Sequence, residues 1–213
     1  MKNNKKVAII DYGMGNLFSV KLACEKVGFD SLITNDKPEI LQADALILPG
    51  VGAFGDAMNA LKKMDLAETI KEFIKSGKPF LGICLGMQLL MSESEEFGMH
   101  KGLDIIKGKV VKFSNKNEKV PQVGWNKIIK AKDWGNGLLK NVLNNEYMYF
   151  VHSFYCQPVE KEIILSKTNY AKIDYCSSFQ KENIFACQFH PEKSGEKGLI
   201  IYENLANLCQ KKN

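Results

Sequence analysis

The sequence predicts an α/β fold: a mostly parallel central sheet flanked by helices, with an added antiparallel layer. Three observations predict it. Short apolar runs of strand length recur in the first half, as in strands buried on both faces. Segments of helical spacing separate them, which gives the strand-helix order of a parallel sheet. From about residue 105 onward the pattern changes to successive strands joined by polar turns.

The elements follow in order. Residues 6–11 form an apolar strand ending at a Gly-rich turn. Residues 16–27 have helical spacing, with Leu17, Val20, Ala23, Cys24 and Val27 on one side and Gly28 as the stop. Asp30–Thr34 and Ala45–Leu48 read as buried strands. Residues 56–62 and Leu66–Lys75 read as helices, the second ended by Ser76-Gly77. Residues 79–83 are another buried strand, and a helix starts just after Cys84. In the second half, 105–113, 120–130, 147–155, 162–168, 173–180 and 184–190 read as strands, followed by a helix over Gly195–Leu208. No linker separates the halves, so residues 1–213 are expected to form one domain.

The composition narrows the function. Apolar residues make up 45% and charged residues 25%, the balance of a soluble globular protein. No apolar stretch is long enough to cross a membrane, and Val7-Ala8-Ile9-Ile10 is too short for a signal-peptide core, so a cytoplasmic location is expected. The six cysteines include no CxxC pair, and a cytoplasmic chain of this size keeps its thiols reduced. Five of them read as small buried apolar residues. The net charge is +5, partly in the chain ends at Lys2, Lys5, Lys6, Lys211 and Lys212. All 29 basic residues are lysine. Without arginine to fork onto phosphates and guanine edges, sequence-specific nucleic-acid binding is not expected. The lysines are interleaved with acids, as on an ordinary solvated surface.

The segment Gly82-Ile83-Cys84-Leu85-Gly86 carries the chemistry. An apolar strand runs into Gly-x-Cys-x-Gly and then into a helix, the cysteine form of a nucleophile elbow. The glycines leave room for a sharp turn that lifts the sulfur above the sheet. The helix start favours the thiolate and places the Leu85 N–H where it can hold an oxyanion. Taken alone, the pattern reads equally as a tight strand-helix turn around a buried cysteine.

A thiol nucleophile needs a base, and the chain has three histidines: His100, His152 and His190. Only His190 has a nearby acid on the same side. In an extended segment His190 and Glu192 point the same way, with Pro191 between them biasing His190 toward extended geometry. A carboxylate there sets the imidazole tautomer and stabilises its protonated form. Alone, such a pair is more often a solvated turn; beside a cysteine elbow it reads as base and orienter. His152 is the rival base, without an adjacent acid, and is expected to bond locally near the site. His100 is given no role.

The loop Leu48-Pro49-Gly50-Val51-Gly52-Ala53-Phe54-Gly55 ends a buried strand at the same edge of the sheet as Cys84. Its glycines allow backbone N–H groups to approach a ligand, making it the other wall of an oxyanion hole. The turn Gly13-Met14-Gly15 resembles a dinucleotide fingerprint, but Phe18 occupies the third glycine position and rules that out. No cofactor and no metal are expected.

With these motifs placed, the chain resembles the class I glutamine amidotransferases, in particular the glutaminase subunits of histidine biosynthesis. The resemblance runs from Ile9–Asn16 in order through 48–55, 81–90, Gly124-Trp125-Asn126 and 149–153 to 188–195. It implies hydrolysis of L-glutamine to glutamate and ammonia, with Cys84 as nucleophile, His190 as proton carrier and Glu192 holding His190. It implies that Gly50, Val51 and Gly52 complete the oxyanion hole with Leu85, and that Gln88, Ser153 and Phe154 hold the substrate. It implies a heterodimer with a (β/α)8-barrel cyclase subunit that takes the ammonia, Asn16, Trp125 and Lys193 lying at that interface. The flexible 50–52 loop is expected to be bistable and biased by the partner. The pattern departs from the family at Gln122-Val123 and over 174–179. Two other readings differ in kind: a paralogous subunit feeding a sugar amidotransferase in surface-glycan synthesis, and an inactive interaction module. The intact Cys84, His190 and Glu192 weigh against the last.

Overall fold

The computed structural model describes residues 5–114 and 119–209. The first half builds the expected alternation: β1 (Lys6–Ile10), α1 (Leu17–Lys26), β2 (Asp30–Thr34), α2 (Lys37–Gln42), β3 (Ala45–Leu48), α3 (Phe54–Lys63), α4 (Leu66–Lys75), β4 (Phe80–Ile83) and α5 (Leu85–Leu89). The helix α2 is an addition to the sequence reading. Its signals are ordinary ones: the Asp36 carboxylate caps the Glu39 N–H at 2.9 Å, and Pro38 sits in the first turn.

The second half contributes β5 (Met91–Ser94), β6 (His100–Lys101), β7 (Ile106–Lys112), β8 (Gln122–Lys127), β9 (Ile129–Lys130), β10 (Tyr147–His152), β11 (Phe154–Pro158), β12 (Ile164–Tyr170), β13 (Ile173–Lys181), β14 (Ile184–Cys187) and α6 (Gly195–Leu208). Two expected strands are each divided. The run 120–130 splits into β8 and β9, and 147–155 splits at Ser153 into β10 and β11. Strand formers surround Ser153 on both sides, and one serine is too weak a signal to place the change of sheet.

The main sheet runs β2-β1-β3-β4-β14-β13-β11-β7-β5-β6, with β12 and β9 attached through β13. From β2 to β14 neighbouring strands are parallel; β13 and β11 continue antiparallel. A separate antiparallel ribbon pairs β10 with β8. The apolar runs now have a reason. Val7, Ile9, Ala45, Ile47, Leu81 and Ile83 enter the core on one face of the sheet, and Ala8, Ile10, Leu46, Leu48 and Phe80 enter the core on the other. Among the described residues no helix is long and apolar enough to cross a membrane. Lys2, Lys211 and Lys212 lie outside the described residues, whereas Lys6 opens β1 and bonds through its N–H to Asp44 at 2.9 Å.

Candidate active site

The parallel strands β3, β4 and β14 end side by side, and the site forms beyond them. Cys84 continues the ladder from β4, its N–H donating to the Cys187 carbonyl at 2.8 Å. It then turns sharply, with φ 54° and ψ −110°. Such a conformation costs a non-glycine residue about 1–3 kcal/mol, so the surrounding contacts must hold it. The flanking glycines are required by space. A Cβ on Gly86 would collide with the Leu48 carbonyl, and one on Gly82 would come within 2.9 Å of the Gly86 carbonyl oxygen.

Cys84 is 6% exposed and faces a cavity of about 270 Å3. Val51, Gly52, Leu85, Gln88, Ser153 and Phe154 line it, all residues expected from the sequence. Glu96, Val151, His152 and Pro121 also line it. Glu96 was not legible in sequence. Its carboxylate accepts the Phe54 N–H at 2.7 Å, a contact across 42 positions.

His190 and Glu192 meet as expected, with Nδ1 2.8 Å from Oε1 and both side chains almost fully buried. The route differs from the expectation. Residues Pro191–Lys193 form a single 3-10 turn rather than extended chain, and the turn folds Glu192 back onto the ring. Burial alone would hold the His190 pKa down. The charge of Cys84 and then the Glu192 carboxylate outweigh it and push the pKa up to about 10. A thiolate at Cys84 and the Glu192 carboxylate both favour the protonated form of the ring. Its buried Nε2 makes no normal hydrogen bond among the described residues. The turn is pinned to β10: the His190 N–H donates to the Tyr149 carbonyl at 2.9 Å, and the Tyr149 N–H to Ser194 Oγ at 3.0 Å.

His152, the rival base, has both ring nitrogens committed elsewhere: Nδ1 to the Phe154 carbonyl at 2.8 Å and Nε2 to the Tyr175 hydroxyl at 3.2 Å. Burial pushes its pKa down to about 4. His100 packs over Gly55, away from this chemistry.

The 49–52 loop lies against the Cys84 turn. The Leu85 N–H, expected as an oxyanion donor, points to the Gly50 carbonyl at 3.4 Å. Gly50 leaves no space for a side chain between the Tyr12 hydroxyl and Leu85, and Gly52 has φ +103°. Tyr12, from the turn that resembles a dinucleotide fingerprint, donates its hydroxyl to the Pro49 carbonyl at 2.9 Å. That turn therefore supports the loop. Gln188 is a second residue missed in sequence, its amide nitrogen reaching Cys84 Sγ at 3.5 Å and its oxygen accepting from Gln88 at 3.0 Å. Its place two residues before His190 was the available signal.

Of the five other thiols expected to be buried, Cys209 is only half-buried; the remaining four are enclosed. Cys24, Cys156, Cys176 and Cys187 are buried, and burial pushes all four pKa values well up. Of the three residues expected at a partner surface, Trp125 is 56% exposed on β8 and meets Tyr149 edge-on at 6.1 Å. The Lys193 ammonium lies 5.9 Å from the same Tyr149 ring. Asn16 has a structural duty as well, its side chain accepting the Ser19 N–H at the start of α1.

The glutamine amidotransferase class-I family model matches residues 8–205. The chain is 52% identical to the imidazole glycerol phosphate synthase subunit HisH of Caldanaerobacter subterraneus, over 96% of this chain and 98% of that protein. It is 48% identical to the subunit of the same name from Chlorobaculum tepidum, over 95% and 100%. It is 44% identical to the HisH subunit of Aquifex aeolicus, over 97% and 98%. Among solved structures, PurLQS from Thermotoga maritima superposes with a TM-score of 0.75 at 18% identity, covering 96% of this chain and 98% of that chain. A glutamine amidotransferase from the same organism superposes with a TM-score of 0.61 at 21% identity, covering 89% and 77%. Those two likenesses concern the fold.

Proposed function

This chain belongs to the class-I glutamine amidotransferase family, and on that premise we propose how its site works and what it serves. The protein is the glutaminase subunit that hydrolyses L-glutamine to L-glutamate and ammonia for histidine biosynthesis. Cys84 attacks the side-chain amide carbon, and the carbonyl electron pair moves onto oxygen. His190, as imidazolium, gives its Nε2 proton to the departing nitrogen, and ammonia leaves a glutamyl thioester. The neutral ring then takes a proton from water, which attacks the thioester. Glutamate departs, and thiolate and imidazolium are restored. Glu192 holds Nδ1 throughout and stabilises the imidazolium. Gln88, Ser153 and Phe154 hold the amino-acid end of glutamine, and the Glu96 carboxylate pairs with its ammonium.

The oxyanion donors are the N–H groups of Leu85 and Val51. The Gly50 carbonyl now occupies the Leu85 donor. Turning over the Gly50–Val51 peptide withdraws that oxygen and brings in the Val51 N–H, a rearrangement glycine permits at low cost. The partner biases it. That partner is a (β/α)8-barrel cyclase subunit, docked over Trp125, Lys193 and Asn16, which uses the ammonia to close an imidazole ring. Moving the loop from about 1% to about 99% competent needs roughly 5.5 kcal/mol of differential binding. The relatives carry the histidine-pathway name, and nothing favours the surface-glycan partner.

The observation that most supports this reading is a thiol on a positive-φ turn beside a histidine whose Nδ1 is fixed by a buried carboxylate. The test is glutamate release by the chain alone, with the cyclase of its own organism, and with cyclase plus an analogue of its nucleotide substrate. Strong stimulation is expected. Cys84→Ala should abolish turnover, by roughly 10⁶-fold in a comparable triad, with the fold unchanged. Full activity in the isolated chain would refute the switching loop. Stimulation only by a sugar amidotransferase would refute the histidine-pathway assignment.

A further inference from the structure

We propose that Tyr175 and Gln122 are positioning residues for glutamine binding: through His152 they fix the Phe154 carbonyl that holds Gln88 at the cavity. The role rests on the glutaminase reading above. It follows from the direction of each hydrogen bond in one buried chain.

The Phe154 carbonyl takes two donors, Gln88 Nε2 at 3.0 Å and His152 Nδ1 at 2.8 Å. A carbonyl only accepts, so the His152 proton is on Nδ1. The ring is 7% exposed and packed among Phe113, Phe150 and Tyr175 with centroids 5.2–5.8 Å away. An imidazolium is disfavoured there, and burial does push the ring toward its neutral form. Its Nε2 is therefore a bare acceptor that needs a donor. The Tyr175 hydroxyl, 3.2 Å away, supplies it.

That uses the only proton of Tyr175. Gln122 Oε1 stands 3.0 Å from the same hydroxyl as its acceptor, so with the Tyr175 proton committed to His152 the Gln122 amide is reassigned to place its nitrogen there as donor. The amide nitrogen of Gln122 accordingly faces Tyr175, and the oxygen takes the other position. Oxygen and nitrogen of an amide are assigned from such networks. The opposite assignment leaves the Gln122 NH2 buried without a partner among the described residues. An under-satisfied carbonyl is the better-tolerated defect.

The chain continues beyond Phe154. Gln88 Nε2 also donates to Gln188 Oε1 at 3.0 Å, and Gln188 Nε2 reaches Cys84 Sγ at 3.5 Å. Two ends of the network are therefore distinct. Gln122 and Tyr175 do not line the cavity, while Gln88, Phe154 and Cys84 do. Removing the Tyr175 hydroxyl frees the imidazole to change tautomer and takes a fixed donor from the Phe154 carbonyl. The wall that holds the substrate loosens, whereas the His190–Glu192 pair is untouched. Loss of such uniform binding raises KM and spares kcat.

The experiment has two arms. In the complex with its partner subunit, Tyr175→Phe should raise KM for glutamine roughly tenfold, the worth of one hydrogen bond, and leave kcat within about twofold. Gln122→Met should act in the same direction and less. In the isolated wild-type chain, ¹⁵N NMR of histidine side chains should show His152 neutral near pH 7 with its proton on Nδ1. Tyr175→Phe should move its Nε2 resonance toward that of an unbonded acceptor. An Nε2–H tautomer or an imidazolium in the wild type would overturn the proposal, even if the variants did not fold. So would an unchanged KM, or an equal fall in kcat. A wild-type complex that failed to hydrolyse glutamine would overturn the glutaminase reading as well, whereas normal wild-type turnover with unchanged KM in Tyr175→Phe overturns this role alone.

Discussion

Replacing His152 by glutamine should flatten the acid side of the stability curve. Burial holds this histidine at about 4 against an ordinary 6.5, the bond to the Phe154 carbonyl offsetting part of the shift and the charge of His190 adding to it. Below pH 6.5 the unfolded chain accepts a proton that the folded chain refuses until about pH 4. The stability contributed above 6.5 is therefore lost as the pH falls toward 4. At about 1.36 kcal/mol per unit, His152 alone removes roughly 2 kcal/mol between about pH 7 and about pH 5. Carboxylates titrating in the same window affect both proteins equally and cancel in the difference. Urea unfolding of wild type and His152→Gln at the two pH values gives four free energies. The wild type should lose about 2 kcal/mol more than the variant. Equal losses would mean that His152 titrates normally, and the case for its neutral, bonded state would fail.

Two further outcomes follow from the site. Cys84→Gly and Cys84→Ala should both be inactive, but the glycine variant should unfold at the higher temperature, by about 1 kcal/mol in stability, because only alanine keeps the strain at φ 54°; equal melting temperatures would count against strain at the elbow. His190→Asn should abolish glutamate release while Glu192→Gln only slows it, since the carboxylate orients and stabilises the ring without touching substrate; the reverse order of damage would point to a different base.

The parts of the site that were legible in sequence are those whose requirements are local. Gly82 and Gly86 flank Cys84 because the turn has no room for a Cβ, and that need is written within five residues. His190 and Glu192 were found by their separation, although a 3-10 turn and not an extended strand brings them together. Residues that act across the fold left weaker traces. Tyr12 supports the Pro49 carbonyl over 37 positions, and Glu96 reaches the Phe54 N–H over 42. No spacing announces such contacts. The same limit applied to the fold. Parallel strands with helices between them were readable from apolar runs, because both faces of β1, β3 and β4 are buried. The division at Ser153 was not, because β10 and β11 share one strand-forming composition while belonging to different sheets.

The pinning of the His190 turn to Tyr149 has a mechanical consequence. Cys84 is carried by the large sheet, while the residues that follow His190 are fastened to the β8–β10 ribbon. Cys84 and His190 both follow neighbouring strands of that sheet, β4 and β14, so the ribbon acts as a stay on the imidazole side alone. The same ribbon carries Trp125, 56% exposed, on β8. A displacement of 1 Å between reacting groups can cost about 10²-fold in rate. A push on Trp125, which pairs with Tyr149 across the ribbon, therefore reaches the imidazole through the bonds of Tyr149 to His190 and Ser194.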